Sequence, residues 1–194
     1  MSVIDQLLWL LKITGSHVIA RRYFIVNGFD GALTMLGLLV GFYVSEDVRL
    51  PVVINACVGV AIALGMSGVS SAYISEAAEK QRELQELEQA MVTNLDQSAH
   101  GQAARLLPIV IALVNGMAPL AISLVIILPL WLAPQIETFS TLPLESAFVI
   151  ALIIIFLLGV YIGQVSQTFW LWAGLRTLLI SIVTTALIFT LSPG

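Results

Sequence analysis

Residues 51–75, PVVINACVGVAIALGMSGVSSAYIS, run without a helix breaker into residues 76–89, EAAEKQRELQELEQ. The first part is apolar for 25 residues, and a hydrocarbon core of about 30 Å needs roughly 20. The second part is too charged to stay in lipid. Nothing between Ala72 and Gln89 ends a helix, so one continuous helix is expected to cross the membrane and project beyond it. Four more stretches of spanning length flank it, at about 23–44, 108–132, 146–164 and 171–191.

Composition agrees with this pattern. The 194 residues are 59% apolar and only 10% charged, whereas soluble domains carry about 25% charged residues. The predicted fold class is an all-α integral membrane protein with five transmembrane helices per subunit. Basic residues set its orientation. Five spans place Lys12, Arg21, Arg22, Lys80, Arg82, Arg105 and Arg176 on one side and Arg49 on the other. Because Lys and Arg collect on the cytoplasmic side, the amino terminus is expected inside and the carboxyl terminus outside. The second helix then extends into the cytoplasm, and the loop PQIETFSTLPLE (134–145) faces out.

Before the first span, MSVIDQLLWLLKITGSHVIARR has an apolar run too short to cross. It lacks the basic start and small-residue cleavage site of a signal peptide. Asp5, Gln6 and Lys12 lie opposite Ile4, Leu7, Leu8 and Leu11, the pattern of a helix lying on the membrane. The expected organisation is an interfacial helix over 1–20, transmembrane helices 1–2 over 21–75, a cytoplasmic acidic segment over 76–107 and transmembrane helices 3–5 over 108–194. Cys57 is the sole cysteine, which excludes an intrachain disulfide.

Polar residues inside spans are the functional candidates, because a charge at the bilayer centre is costly without a partner or water. Asp30, in NGFDG (27–31), lies about 10 Å into the first span if the helix enters lipid near Tyr23. Asn27 and Met35 are candidates for the same path. Gly28, Gly31, Gly37 and Gly41 allow close helix approach. Alternatively, Asp30 bonds a neighbouring helix or caps a break at Gly28. In the third span, LVNGMAPLA (113–121), Pro119 frees the carbonyl of Asn115. Asn115 and Met117 add an amide and a thioether at that level, although a kinked helix with no transport role fits equally.

At about 100° per residue, Glu76, Glu79, Glu83 and Glu86 fall within an arc of about 80°. Stacked like charges oppose the helix, and a divalent cation would relieve them; carboxylates suit Mn, Fe(II), Mg and Ca. Lys80 and Arg82 could instead pair with Glu76 and Glu86, leaving an ordinary solvated face. No enzyme is expected: His17 and His100 lie outside the spans, and there is neither a His pair at zinc spacing nor a phosphate-binding glycine loop. No nucleic-acid surface is evident either.

Together, RRYFIVNGFDGALTMLGLLVGF (21–42), AYISEAAEKQRELQELE (72–88), ALVNGMAPLAISLVIILPLWL (112–132) and WAGLRTLLISIVTTALIF (172–189) resemble the vacuolar iron transporter family. The likeness covers about residues 20–192. It implies a homodimer with five helices per subunit that moves Fe(II) or Mn(II) out of the cytosol in exchange for protons. It also implies that Asp30 lines the path, that Glu76, Glu79, Glu83 and Glu86 collect metal, and that Met66 matches a membrane-level methionine. No permanent cofactor is implied; the metal is cargo. The sequence departs from the family at its usual second-span glutamate, where Ala72 or Ser70 stands instead. That departure keeps open a membrane-anchored metal-sensing or scaffold protein without transport. The short cytoplasmic segment suits a prokaryotic plasma membrane.

Overall fold

A computed structural model describes residues 16–45, 48–135 and 142–191 of the chain. Within these residues the backbone forms five α-helices: α1 (Ser16–Val44), α2 (Leu50–Met91), α3 (Ala99–Leu132), α4 (Pro143–Val165) and α5 (Trp170–Leu191). All five are long and apolar enough to cross a membrane, and each contains one of the five spans read from the sequence. The surface helix expected over 1–20 falls mainly on residues 1–15, outside the described residues. Residues 16–20 belong to α1, so no break in the backbone marks the boundary drawn at 21. Residues 136–141 of the acidic loop also lie outside the described residues.

α2 runs 42 residues without interruption, as the lack of breakers between Ala72 and Gln89 requires. It stops where Val92 turns left-handed, at φ 50°, and the Thr93 amide donates back to the Glu88 carbonyl at 3.3 Å. The turn to α3 is held by its own polar side chains. Glu88 Oε1 accepts from the Leu95 amide at 2.8 Å, and Asn94 Oδ1 accepts from the Asp96 amide at 2.9 Å. Ser98 Oγ accepts from the Gly101 amide at 3.2 Å, which caps α3. At the other tight connection, Gln167 (φ 56°) ends α4. There the Thr168 amide bonds the Gly163 carbonyl and the Gln167 amide bonds that of Gln164, the paired closure of a Schellman motif.

The chain divides into two compact units. One combines the start of α1 up to Phe24 with residues Gly65–Met117, that is, the later part of α2, the turn and the earlier part of α3. Ala103, Leu107 and Ile111 form its buried cluster, with Ile19 and Tyr23 packed on them. α2 and α3 meet there through glycine. A Cβ on Gly68 would lie 2.9 Å from the Gly116 Cα, and one on Gly116 would strike the Gly65 carbonyl and Val69. The unit reaches beyond the acidic segment of 76–107 because this glycine contact fastens α2 to α3 at Gly65–Val69.

The other unit holds Ile25–Leu64 and residue 118 onward. Its core contains Met35, Leu36, Leu39, Val53, Cys57, Ile126, Ile127, Leu130 and Ile155, all essentially without solvent access. A Cβ on Gly28 would lie 2.7 Å from Ile122 Cδ1, and one on Gly31 would lie 2.7 Å from Pro119 Cα. Gly28 and Gly31 therefore bring helices close, whereas nothing lies within 4 Å of a Cβ at Gly41. α4 and α5 pack through Gly159, Gly163 and Gly174, and the Thr177 hydroxyl donates to the Ile155 carbonyl at 3.1 Å.

Candidate metal site and transport path

α1 places Gly28 and Gly31 against neighbouring helices, and Asp30 therefore points away from that packing. Its side chain is exposed in the single chain. Among the described residues it makes no hydrogen bond or ion pair. Gly28 and Gly31 bring neighbouring helices to the opposite side of α1 from Asp30. Neighbouring positions on a helix diverge by about 100°, so glycine packing at 28 and 31 turns residue 30 outward. Asn27 is half-buried. Met35, expected on the same path, sits at 0% exposure in the apolar core cluster that also holds Leu36, Leu39 and Ile126.

In the other unit, Asn115 is buried and its Nδ2 donates to the Gly68 carbonyl at 2.7 Å. Its side chain thus fastens α3 to α2. Met66 and Met117 flank the Gly65–Gly116 contact in sequence, and both thioethers are outward, at 61% and 52% exposure.

The glutamate stripe exists on one face of α2, but its members differ in environment. Glu76 is only 8% exposed, and its Oε1 accepts from the Tyr23 hydroxyl at 3.0 Å. The Arg22 guanidinium lies 5.7 Å from the centre of the Tyr23 ring. Lys80 pairs with Glu83 at 2.7 Å rather than with Glu76. Arg82 pairs with Glu86 at 2.9 Å, as expected. That contact, with Glu79 behind it, raises the Arg82 pKa from its usual value. Glu79 is exposed and has no hydrogen-bond partner among the described residues. Glu88, which points off the stripe, serves the turn to α3.

Among the described residues no three His, Cys, Asp or Glu side chains converge as a metal-holding group. What the described residues of α1 and the stripe offer is one bare carboxylate on an apolar helix, one exposed carboxylate on the stripe, and three stripe carboxylates held by donors. The Tyr23–Glu76 contact was not read from the sequence. Its signal was a tyrosine after two arginines at the start of a span, with no indication of which acid it would meet.

A protein of Methanocaldococcus jannaschii described as uncharacterized is 29% identical to this chain over 158 residues, which is 80% of this chain and 79% of that protein. No protein-family profile and no solved structure matches. The similarity spans most of both chains and carries no activity with it.

Proposed function

We propose that the chain is a divalent metal cation transporter that moves Fe(II) or Mn(II) out of the cytosol, in exchange for protons and as a homodimer. Asp30 carries the proposal. It is a carboxylate on a membrane-length helix, turned outward and without a partner among the described residues. Against lipid, such a group costs about 2.5–3.5 kcal/mol at the bilayer centre. A second subunit that covers this face, with water and a cation, removes that cost. Proton uptake by the carboxylate would weaken its hold on a cation, which suits exchange.

Loading from the stripe has to displace these contacts. The Arg82–Glu86 pair is exposed on both sides, where ion pairs are weak, whereas the Lys80–Glu83 pair includes a buried Lys80. A divalent ion can replace those donors. In proteoliposomes the expected result is that Asp30→Asn abolishes Mn(II) and Fe(II) flux while the protein stays folded and dimeric. Full transport by that variant would remove Asp30 from the mechanism.

The same internal contacts favour a second function, a membrane-anchored metal-sensing or scaffold protein. Three of the four stripe carboxylates already have donors, and no metal-holding cluster forms among the described residues. Metal would then rearrange these contacts and alter partner binding without crossing. Saturable uptake of Mn(II) into sealed vesicles by the wild-type protein would rule this out.

A further inference from the structure

α5 carries one charge in its 22 residues, Arg176. The side chain is exposed and forms no ion pair or hydrogen bond with any described residue. The sole acid of α4, Glu145, sits in that helix's first turn, at the end away from the α4–α5 connection. Arg176 lies about 9 Å along α5 from Trp170. Helical side chains lean toward the amino-terminal end, so the guanidinium of Arg176 is drawn back toward the connection and the headgroup level.

A cleft of about 350 Å³ lies at that place, lined by Thr168, Phe169, Trp172, Ala173 and Arg176. Trp172 and Arg176 are one turn apart on the same face. The Phe169 and Trp170 rings stand 6.1 Å apart at 47° beside them. Below the cleft, Leu175, Leu179, Ile180 and Val183 of α5 are exposed. A cation without a counter-charge among the described residues sits above an apolar track, flanked by aromatic rings of the kind that lie at membrane interfaces.

We propose that this cleft binds the phosphate of an anionic phospholipid from the adjoining leaflet. Arg176 holds the phosphate oxygens through its planar fork, Trp172 and Phe169 flank the glycerol region, and the acyl chains follow the outward apolar face of α5. Charge complementarity selects the phosphate, and the apolar track selects a lipid over a free anion. The proposal depends on α5 crossing the membrane and not on the cargo, so it stands or falls separately from metal transport.

The test uses the full chain in detergent and native mass spectrometry with phosphatidylglycerol, phosphatidylcholine and glycerol 3-phosphate. Wild type retains phosphatidylglycerol in preference to phosphatidylcholine and does not retain glycerol 3-phosphate. Arg176→Gln lowers phosphatidylglycerol retention about fivefold, the worth of one basic residue at an anionic surface, and leaves phosphatidylcholine unchanged. Undiminished phosphatidylglycerol binding by Arg176→Gln overturns the site, and glycerol 3-phosphate binding as tightly as the lipid overturns the lipid assignment. If Arg176→Gln fails to fold, Arg176→Lys and a salt series replace it. Arg176→Lys keeps the preference in weakened form, and raising salt from about 0.05 to 0.5 M lowers it. A preference insensitive to both overturns the proposal.

Discussion

Gly116→Ala tests the packing that joins α2 to α3. A Cβ at 116 would meet the Val69 amide nitrogen at 2.8 Å, and would come closer still to the Gly65 carbonyl and Val69 Cγ2. Val69 Cγ2 could rotate away, but the two backbone atoms move only if the helices separate. Restoring ordinary contact takes a shift of about 1 Å. The Asn115–Gly68 hydrogen bond, at 2.7 Å, would stretch past bonding distance with it. Overpacking of this kind costs about 1–3 kcal/mol, and a lost interhelical hydrogen bond in a membrane protein adds about 0.6–1.7 kcal/mol. Alanine returns up to about 1 kcal/mol through helix propensity. The net loss is about 0.6–4.7 kcal/mol, or on the order of 1–19 °C in midpoint for a chain of this length. Circular dichroism of thermal unfolding in detergent reads it directly. Gly59→Ala serves as the control, because nothing lies within 4 Å of a Cβ there. A Gly116→Ala protein as stable as Gly59→Ala would refute the close crossing and, with it, the structural role given to Asn115.

Two further outcomes follow from the α2 stripe and its turn. Val92→Gly should stabilise the α2–α3 turn by up to about 1 kcal/mol, because a β-branched residue at φ 50° is strained where glycine is not. Slower amide exchange over residues 88–101 would show it, and faster exchange would contradict the left-handed assignment. Tyr23→Phe removes the donor that holds Glu76. If Glu76 takes part in metal binding, Mn(II) no longer has to displace the phenol, and calorimetric affinity should rise about fivefold, the worth of one hydrogen bond of about 1 kcal/mol. Unchanged affinity would take Glu76 out of the metal set.

The number and order of the helices were legible because both depend on local composition. Twenty apolar residues without a breaker can satisfy their backbone in lipid only as a helix, and the acidic continuation of α2 contains nothing to stop one. The Arg82–Glu86 pair was equally legible, since residues four apart on a helix are neighbours wherever that helix sits. Lys80 was harder to place. It has acids at both i−4 and i+3, and the tertiary structure sets it on Glu83 while Glu76 meets the Tyr23 phenol of α1, 53 positions away.

What sequence alone determined here is a set of five apolar helices, one of them extended, with a periodic glutamate face and an aspartate in the first span. Those features follow from residue type and helical period. Tertiary structure decided which way each candidate points. Gly28 and Gly31 find neighbours and so turn Asp30 outward, Met35 goes into the core, and Asn115 spends its amide on Gly68. A helix has a fixed pitch but no intrinsic front. Its facing is set by the partners that fill its glycine gaps, and those partners lie far away in the chain.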